Sequence, residues 1–209
     1  MVTWYDQSGN TGRNATQGTA VNQPYIVFNG TIFRQNNKPS VYFALGDRFL
    51  QAYRFAAPNI DFSFSMIHEV QSTSSQTVSF TDEYTGPGPF SIKGVYFDNN
   101  FFIVNRSSAF ALVTSGLTIQ SKRLYANSVK YLSNNTAVAS TNSTSSASTS
   151  MLMSGNAFTE GSTNLVLGRY QTSSPLGLNG HISEFICYRG INADINGVRN
   201  NQITFYNIQ

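Results

Sequence analysis

The sequence predicts an all-β sandwich of two antiparallel sheets closed by one short C-terminal helix. Three observations predict it. Only 11% of the residues are charged, where an average globular chain carries about 25%, and the charged helix formers are scarce. Aromatics make up 13%, mostly Phe and Tyr, which suit the half-buried pleated surface of a strand, while the abundant Ser, Thr, Asn and Gly suit turns. Short alternating segments also recur with turn signals between them, the spacing of a sandwich or barrel. At 209 residues the chain is long enough to bury roughly 70% of its unfolded surface, and residues 1–209 read as a single domain.

Strands are expected near 2–5, 24–28, 39–44, 48–53, 61–70, 76–81, 90–97, 100–105, 117–120, 123–132, 163–169 and 180–188. In Phe62-Ser63-Phe64-Ser65-Met66 the apolar residues take every second position and so share one face. Tyr125, Val129 and Tyr131 repeat that parity, as do Phe185 and Cys187. Both parities are apolar in Phe101-Phe102-Ile103-Val104, which predicts a central strand covered on both sides. Asn29-Gly30 and Asp98-Asn99-Asn100 lie between apolar runs and mark tight hairpins, because Asn, Asp and Gly tolerate positive φ. Gly86-Pro87-Gly88-Pro89 interrupts any regular element. Residues 133–150 are low-complexity and hydroxyl-rich; with so little apolar surface to bury, they are expected to form a flexible loop. A helix is expected at the C-terminus, capped by Asn192, with Ile195, Val198 and Phe205 on one face.

Composition also narrows the function. The 13 basic residues against 10 acidic ones leave a net charge of +3, but only Lys122 and Arg123 are adjacent. Nucleic-acid binding needs clustered positive charge, so no nucleic-acid partner is expected. A weakly charged, hydroxyl- and amide-rich surface fits neutral partners such as glycans. No apolar stretch approaches the ~18 residues of a membrane span. The start, Met1-Val2-Thr3-Trp4, lacks a basic and then apolar leader, so an exterior protein would be excised from a longer chain or leave the cell within a particle. The single cysteine, Cys187, reads as a small buried hydrophobe.

The segment Trp4-Tyr5-Asp6-Gln7-Ser8-Gly9-Asn10, followed by Arg13-Asn14-Ala15-Thr16-Gln17, resembles the signature of concanavalin A-like, laminin-G-like jelly-roll domains. Further matching segments run in family order: Gln23-Pro24-Tyr25-Ile26-Val27-Phe28-Asn29-Gly30, Lys38-Pro39-Ser40-Val41-Tyr42-Phe43, Leu167-Gly168-Arg169, and Asn179-Gly180-His181-Ile182-Ser183-Glu184-Phe185-Ile186-Cys187-Tyr188. Thr11, inserted before Gly12, departs from the pattern, and residues 55–160 carry no family marks. Such domains occur in bacterial surface proteins, phage tails and virions of large DNA viruses, and the catalytic domain of fungal arabinofuranosidases is similar. The resemblance implies a lectin-like jelly roll on an extracellular or virion surface more than it implies a function.

For chemistry, a glycosidase needs two carboxyls about 5 to 10 Å apart. The candidates are Asp6, Asp47, Asp61, Glu69, Asp82, Glu83, Asp98, Glu160, Glu184 and Asp194, and none forms an evident pair. Glu184 shares parity with Ile182 and Ile186, which predicts a buried carboxylate paired with Arg169. His68 and His181 are the only histidines and have no cysteine near them in sequence, so a zinc site is not expected. No nucleophile elbow, phosphate loop or dinucleotide motif is present. The one cofactor in question is calcium, with Asp6 and Asn10 as ligands in a loop that could supply only part of the six to eight oxygens the ion takes; the competing role for Asp6 is an Asx-type turn. Sugar stacking would use Tyr53, Tyr84, Tyr170 or Trp4, although Trp4 also reads as core. The sequence is therefore read as a non-enzymatic surface module. Its expected partners are a glycan or host-surface receptor, a parent virion or surface protein, and a further copy of the chain. Its rivals are a structural virion or fibre component and an arabinofuranosidase-like fragment.

Overall fold

A computed structural model describes residues 1–8, 13–44, 47–53, 62–71, 77–82, 91–97, 100–106, 110–114, 117–132, 136–142, 144–145, 149–150, 164–169, 177–189 and 194–209. Strands are numbered in chain order. Among the described residues one sheet has eight strands, in the order β1 (Thr3–Trp4), β2 (Ala15–Thr16), β8 (Leu50–Tyr53), β18 (Asn164–Leu167), β10 (Thr77–Asp82), β11 (Ser91–Phe97), β12 (Asn100–Arg106) and β13 (Phe110–Thr114). The second runs β16 (Thr144–Ser145), β15 (Thr136–Thr141), β14 (Leu124–Leu132), β9 (Phe62–Val70), β19 (Gly180–Arg189) and β7 (Val41–Phe43), with β17 (Thr149–Ser150) also on β15. Two small hairpins, β3 (Val27–Phe28) with β4 (Thr31–Ile32) and β5 (Arg34–Gln35) with β6 (Lys38–Pro39), precede β7. Every strand pairing among the described residues is antiparallel. The helix α1 (Ile195–Tyr206) follows β19.

The alternation read in the sequence sets the layers. Phe64, Met66 and Val70 of β9, Tyr125 and Val129 of β14, and Val41 and Phe43 of β7 join Leu50, Leu165 and Leu167 of the other sheet in one core cluster. Phe64 and Phe185 stack within it at 5.9 Å. The intervening residues of β9 and β14 face the other way, where Ile67, Leu124 and Ala126 form a smaller cluster with Tyr206 of the helix.

Two glycines of the family-like segments are required by packing. Gly168 sits at φ +86°, and a Cβ there would meet the Phe43 ring at 2.1 Å, so the space above Phe43 exists only for glycine. A Cβ on Gly180 would meet the Glu69 carbonyl at 2.0 Å.

Several expectations need correction. Residues 136–141, expected in a flexible loop, form β15 paired along β14, with Ala139, Ser140 and Thr141 buried. Their small and β-branched side chains fit the sheet, and ladder hydrogen bonds supply what the apolar content lacks. Asn142 extends this attachment at φ 50°, exchanging bonds with the backbone of Ala126. Residues 117–120 form no strand, although Ile119 is buried. Strand β13 was not foreseen. β12, expected at the centre, lies second from the edge of the described sheet. The helix is capped by Asp194, whose side chain accepts from the Gly197 amide at 2.9 Å, while Asn192 lies outside the described residues. Its buried face is Ile195, Arg199, Gln202 and Tyr206, and Phe205 is exposed.

Glu184 corrects the Arg169 pairing. A β-bulge between Ile182 and Glu184 adds one residue, so parity flips: Ile182 faces the core, and Glu184 turns to the helix side. There its Oε2 accepts from Gln202 Nε2 at 3.1 Å, while the Arg169 guanidinium stands 5.2 Å from the Phe49 ring.

Candidate functional site

The Asn29-Gly30 hairpin places the most distinctive surface of the described residues. Asn29 (φ 48°) and Gly30 (φ 76°) are both left-handed, the requirement of a two-residue turn that matches strand twist. Asn36 and Asn37 repeat it, at φ 45° and 65°, and Asn36 donates to the carbonyl of Tyr206 at the helix end. Strands β3 and β4 are exposed at all four positions, so the hairpin stands off the body with Val27 and Ile32 opposite each other. Phe28 is 51% exposed.

At its base Tyr25 bridges Tyr42 of the edge strand β7. Phe28 meets the Tyr25 ring edge-on at 5.4 Å, and the Arg48 guanidinium lies over the same ring at 3.9 Å. One amino group of Arg48 donates to the Gln23 carbonyl at 2.5 Å. Arg48 comes from the segment leading into β8, so the cluster joins the approach to one sheet with the edge strand β7 of the other. A half-buried ring clamped by a planar cation and flanked by an exposed Phe can stack on a flat, weakly polar ligand while offering it N–H donors.

Behind the hairpins lies a second aromatic group. Phe33, Tyr42 and His181 pack with centroids 4.9 to 5.5 Å apart. The Ser40 hydroxyl and His181 Nδ1 are hydrogen-bonded at 3.0 Å, and burial lowers the His181 pKa to about 4. His68 is deeper, paired with Asn127 between the sheets, and burial lowers its pKa to about 3. Both imidazoles are neutral near pH 7 and serve the packing.

The residues singled out in the sequence are not brought together. Trp4 pairs with Ala15 and packs against the core cluster. Asp6 is exposed and closes a turn, its two oxygens accepting from the Ser8 amide at 2.8 Å and the Ser8 hydroxyl at 2.7 Å; these bonds hold its carboxyl below the usual range. Tyr53 ends β8, with its side chain outside the described residues, where Tyr84, Tyr170 and Asn10 also lie. Glu69 accepts from Gln71 at 2.7 Å, and its burial raises its pKa. Among the described residues no three of His, Cys, Asp and Glu are grouped to hold a metal ion, and no helix is long and apolar enough to cross a membrane. Sequence reasoning missed Tyr25, Phe28 and Arg48 as a surface. The available signal was the hairpin turn directly after a run apolar at both parities, Tyr25-Ile26-Val27-Phe28, too short to be covered on both faces.

Solved structures share this fold. The botulinum neurotoxin serotype D ligand-binding domain in complex with N-acetylneuraminic acid matches 97% of the chain with a TM-score of 0.66 at 11% identity. The chain spans about half of that domain's length, 51%. Domain 4 of AbnA, an extracellular GH43 arabinanase from Geobacillus stearothermophilus in complex with arabinotriose, matches 98% of the chain and 86% of its own at a TM-score of 0.61 and 14% identity. A heptameric SAP-like pentraxin from Limulus polyphemus matches 74% of the chain and 77% of its own, with TM-score 0.59 and 9% identity. No protein-family model matches the sequence, and no curated protein matches it. At such identities the likeness shows the fold alone: a jelly-roll β-sandwich with a short C-terminal helix.

Proposed function

We propose that the chain is a non-enzymatic binding module of an exterior surface, attaching to a carbohydrate or a host-cell component as part of a larger virion, phage-tail or secreted protein. The observation that carries this reading is the Tyr25–Phe28–Arg48 cluster at the foot of an exposed apolar hairpin. An exposed ring can stack on the apolar face of a sugar, and a guanidinium can fix its oxygens. The fold is shared with domains whose structures hold arabinotriose and N-acetylneuraminic acid, which supports the reading without supplying it, since function resides in the site. Four of the described carboxyls have a bonded partner: Asp6 with Ser8, Glu69 with Gln71, Glu184 with Gln202 and Asp194 with Gly197. Such bonds suit structural roles.

A glycan array tests the proposal. One competable hit is expected, weakened about tenfold or more by Phe28→Ala, the loss typical of a stacked aromatic anchor. Tyr53→Ala, Tyr84→Ala and Tyr170→Ala belong in the same panel, because those rings remain candidates for further subsites. Chelation with EDTA is expected to leave the hit unchanged, since Asp6 is occupied by Ser8. An array without signal, together with a stable oligomer, favours an assembly role. Sugar released from a polysaccharide panel overturns the non-enzyme reading.

A further inference from the structure

Resting on that binding-module reading, we infer that the Tyr25–Phe28–Arg48 surface selects sugars bearing a carboxylate over their neutral counterparts. The one charged group among the three side chains of the cluster is the Arg48 guanidinium. Arg48 carries five N–H donors and no acceptor, and one amino nitrogen is committed to the Gln23 carbonyl. Stacking on Tyr25 at 3.9 Å fixes the guanidinium plane, so the remaining donors are held in a rigid fork. Among the described residues Arg48 forms no ion pair, not even with the adjacent exposed Asp47. The Gln23 side chain is turned toward the Gln17 carbonyl, to which it donates its N–H.

A neutral hexose presents hydroxyls, which bind best where donors and acceptors alternate. A fork of charged donors matches a group that only accepts, and its planar spacing matches a carboxylate in two parallel bonds. Phe28 then meets the C–H face of the ring. The chain's overall charge of only +3 gives little general attraction for anions, so the preference would come from local charge, the Arg48 fork with the Met1 ammonium nearby on the Pro24 carbonyl.

Calorimetric titration of the full chain with matched pairs, sialyllactose against lactose and oligogalacturonate against galacto-oligosaccharide, tests this. The acidic member of at least one pair is expected to bind about tenfold tighter or more, the size of a charge-assisted hydrogen-bond pair. Arg48→Gln should erase that preference and leave weak neutral binding, whereas Phe28→Ala should weaken both members. Arg48→Lys keeps the charge but loses the fork, and should also lose most of the preference. Thermal melts of each variant show that it is folded; if Arg48→Gln does not fold, Arg48→Lys decides. Equal affinity for both members, or a preference that survives folded Arg48 variants, overturns the carboxylate inference and leaves the binding-module reading standing. Tighter binding of a sulfated galactoside than of either carboxylated sugar also overturns it. No binding to any member sinks both.

Discussion

The two faces of the seven-stranded-sheet pairings are built from the same strands by opposite means. Toward the other sheet, β9 and β14 present Phe64, Met66, Val70, Tyr125 and Val129, and shape-filling burial holds the layers. Toward the helix the same strands present Ser63, Ser65 and Ser128, and the helix answers with Arg199 and Gln202. Gln202 accepts from the Ser65 hydroxyl and donates to Glu184. Arg199 donates to Ser128 at 3.0 Å and to Asn196 at 3.1 Å, and Tyr206 donates to the Ser183 carbonyl at 3.3 Å. Each face makes one exception: His68 with Asn127 inside the apolar layer, and the Ile67–Leu124–Ala126–Tyr206 cluster inside the polar one. The inner face decides stability, while the outer face decides where the helix docks.

Adjacent residues break or sharpen this contrast most directly. Phe64→Ala, on the inner face and 1% exposed, should cost about 3–5 kcal/mol in denaturant unfolding, as buried aromatic truncations do. Ser65→Ala, one residue along and facing the helix, should cost only about 1–2 kcal/mol, one lost hydrogen bond and a partly orphaned partner. Equal losses would mean the helix layer is as much core as the sandwich is.

The inner exception carries a pH signature. His68 has an ordinary value of 6.5 and a folded one of about 3, so between those values the unfolded chain binds a proton that the folded chain refuses. Stability therefore falls as pH drops below about 6.5, by roughly 2 kcal/mol between pH 7 and 5 for a lone buried histidine. His181, lowered to about 4, adds in the same direction. Unfolding free energies from pH 7 to 5 should show this slope, and His68→Gln should remove about half of it, leaving the His181 share; an unchanged slope in that variant would place the proton elsewhere.

How much of this contrast is legible in the sequence follows from its period. Alternation in Phe62–Met66 and Tyr125–Tyr131 marks the inner face directly, because a period of two holds wherever a strand runs without a bulge. The Leu167-Gly168-Arg169 and Asn179-Gly180 segments point to their places, and close approach to Phe43 and Glu69 explains their glycines. Three things are not legible. The bulge at Ser183 reverses parity with no residue that demands it, and so Glu184 reads as inward. β15 gains its order from its neighbour β14, in pairings such as Lys130 with Val138 and Val129 with Ala139, rather than from its own Thr, Ala and Ser. The Tyr25–Phe28–Arg48 surface depends on Arg48 arriving from another segment, and no local pattern records that meeting. The helix is misread for a related reason: its buried positions, Arg199 and Gln202, are polar because the sheet beneath them is.

Smaller effects test the helix side. Asp194→Ala removes the cap on the Gly197 amide and should cost about 1 kcal/mol, with helix fraying visible as faster amide exchange over the first turn. A cost near zero would mean that the sheet alone holds the helix start.

The smallest expected change is the most informative, because its sign is in question. Arg199 is 4% exposed, its Nε has no hydrogen-bond partner, and its bonded partners are the neutral Ser128 and Asn196. Burial lowers its pKa, the mark of a charge held without compensation. Removing a buried cation that lacks a carboxylate relieves its desolvation cost, and a methionine of similar length can fill the same space. Arg199→Met is therefore expected to leave stability within about 1 kcal/mol of the parent or to raise it, although Ser128 loses its donor. A loss above about 2 kcal/mol, the range for stranding a buried polar partner, would show that the outer face depends on this cation as strongly as the inner face depends on its aromatics, and the division between the two faces would fail.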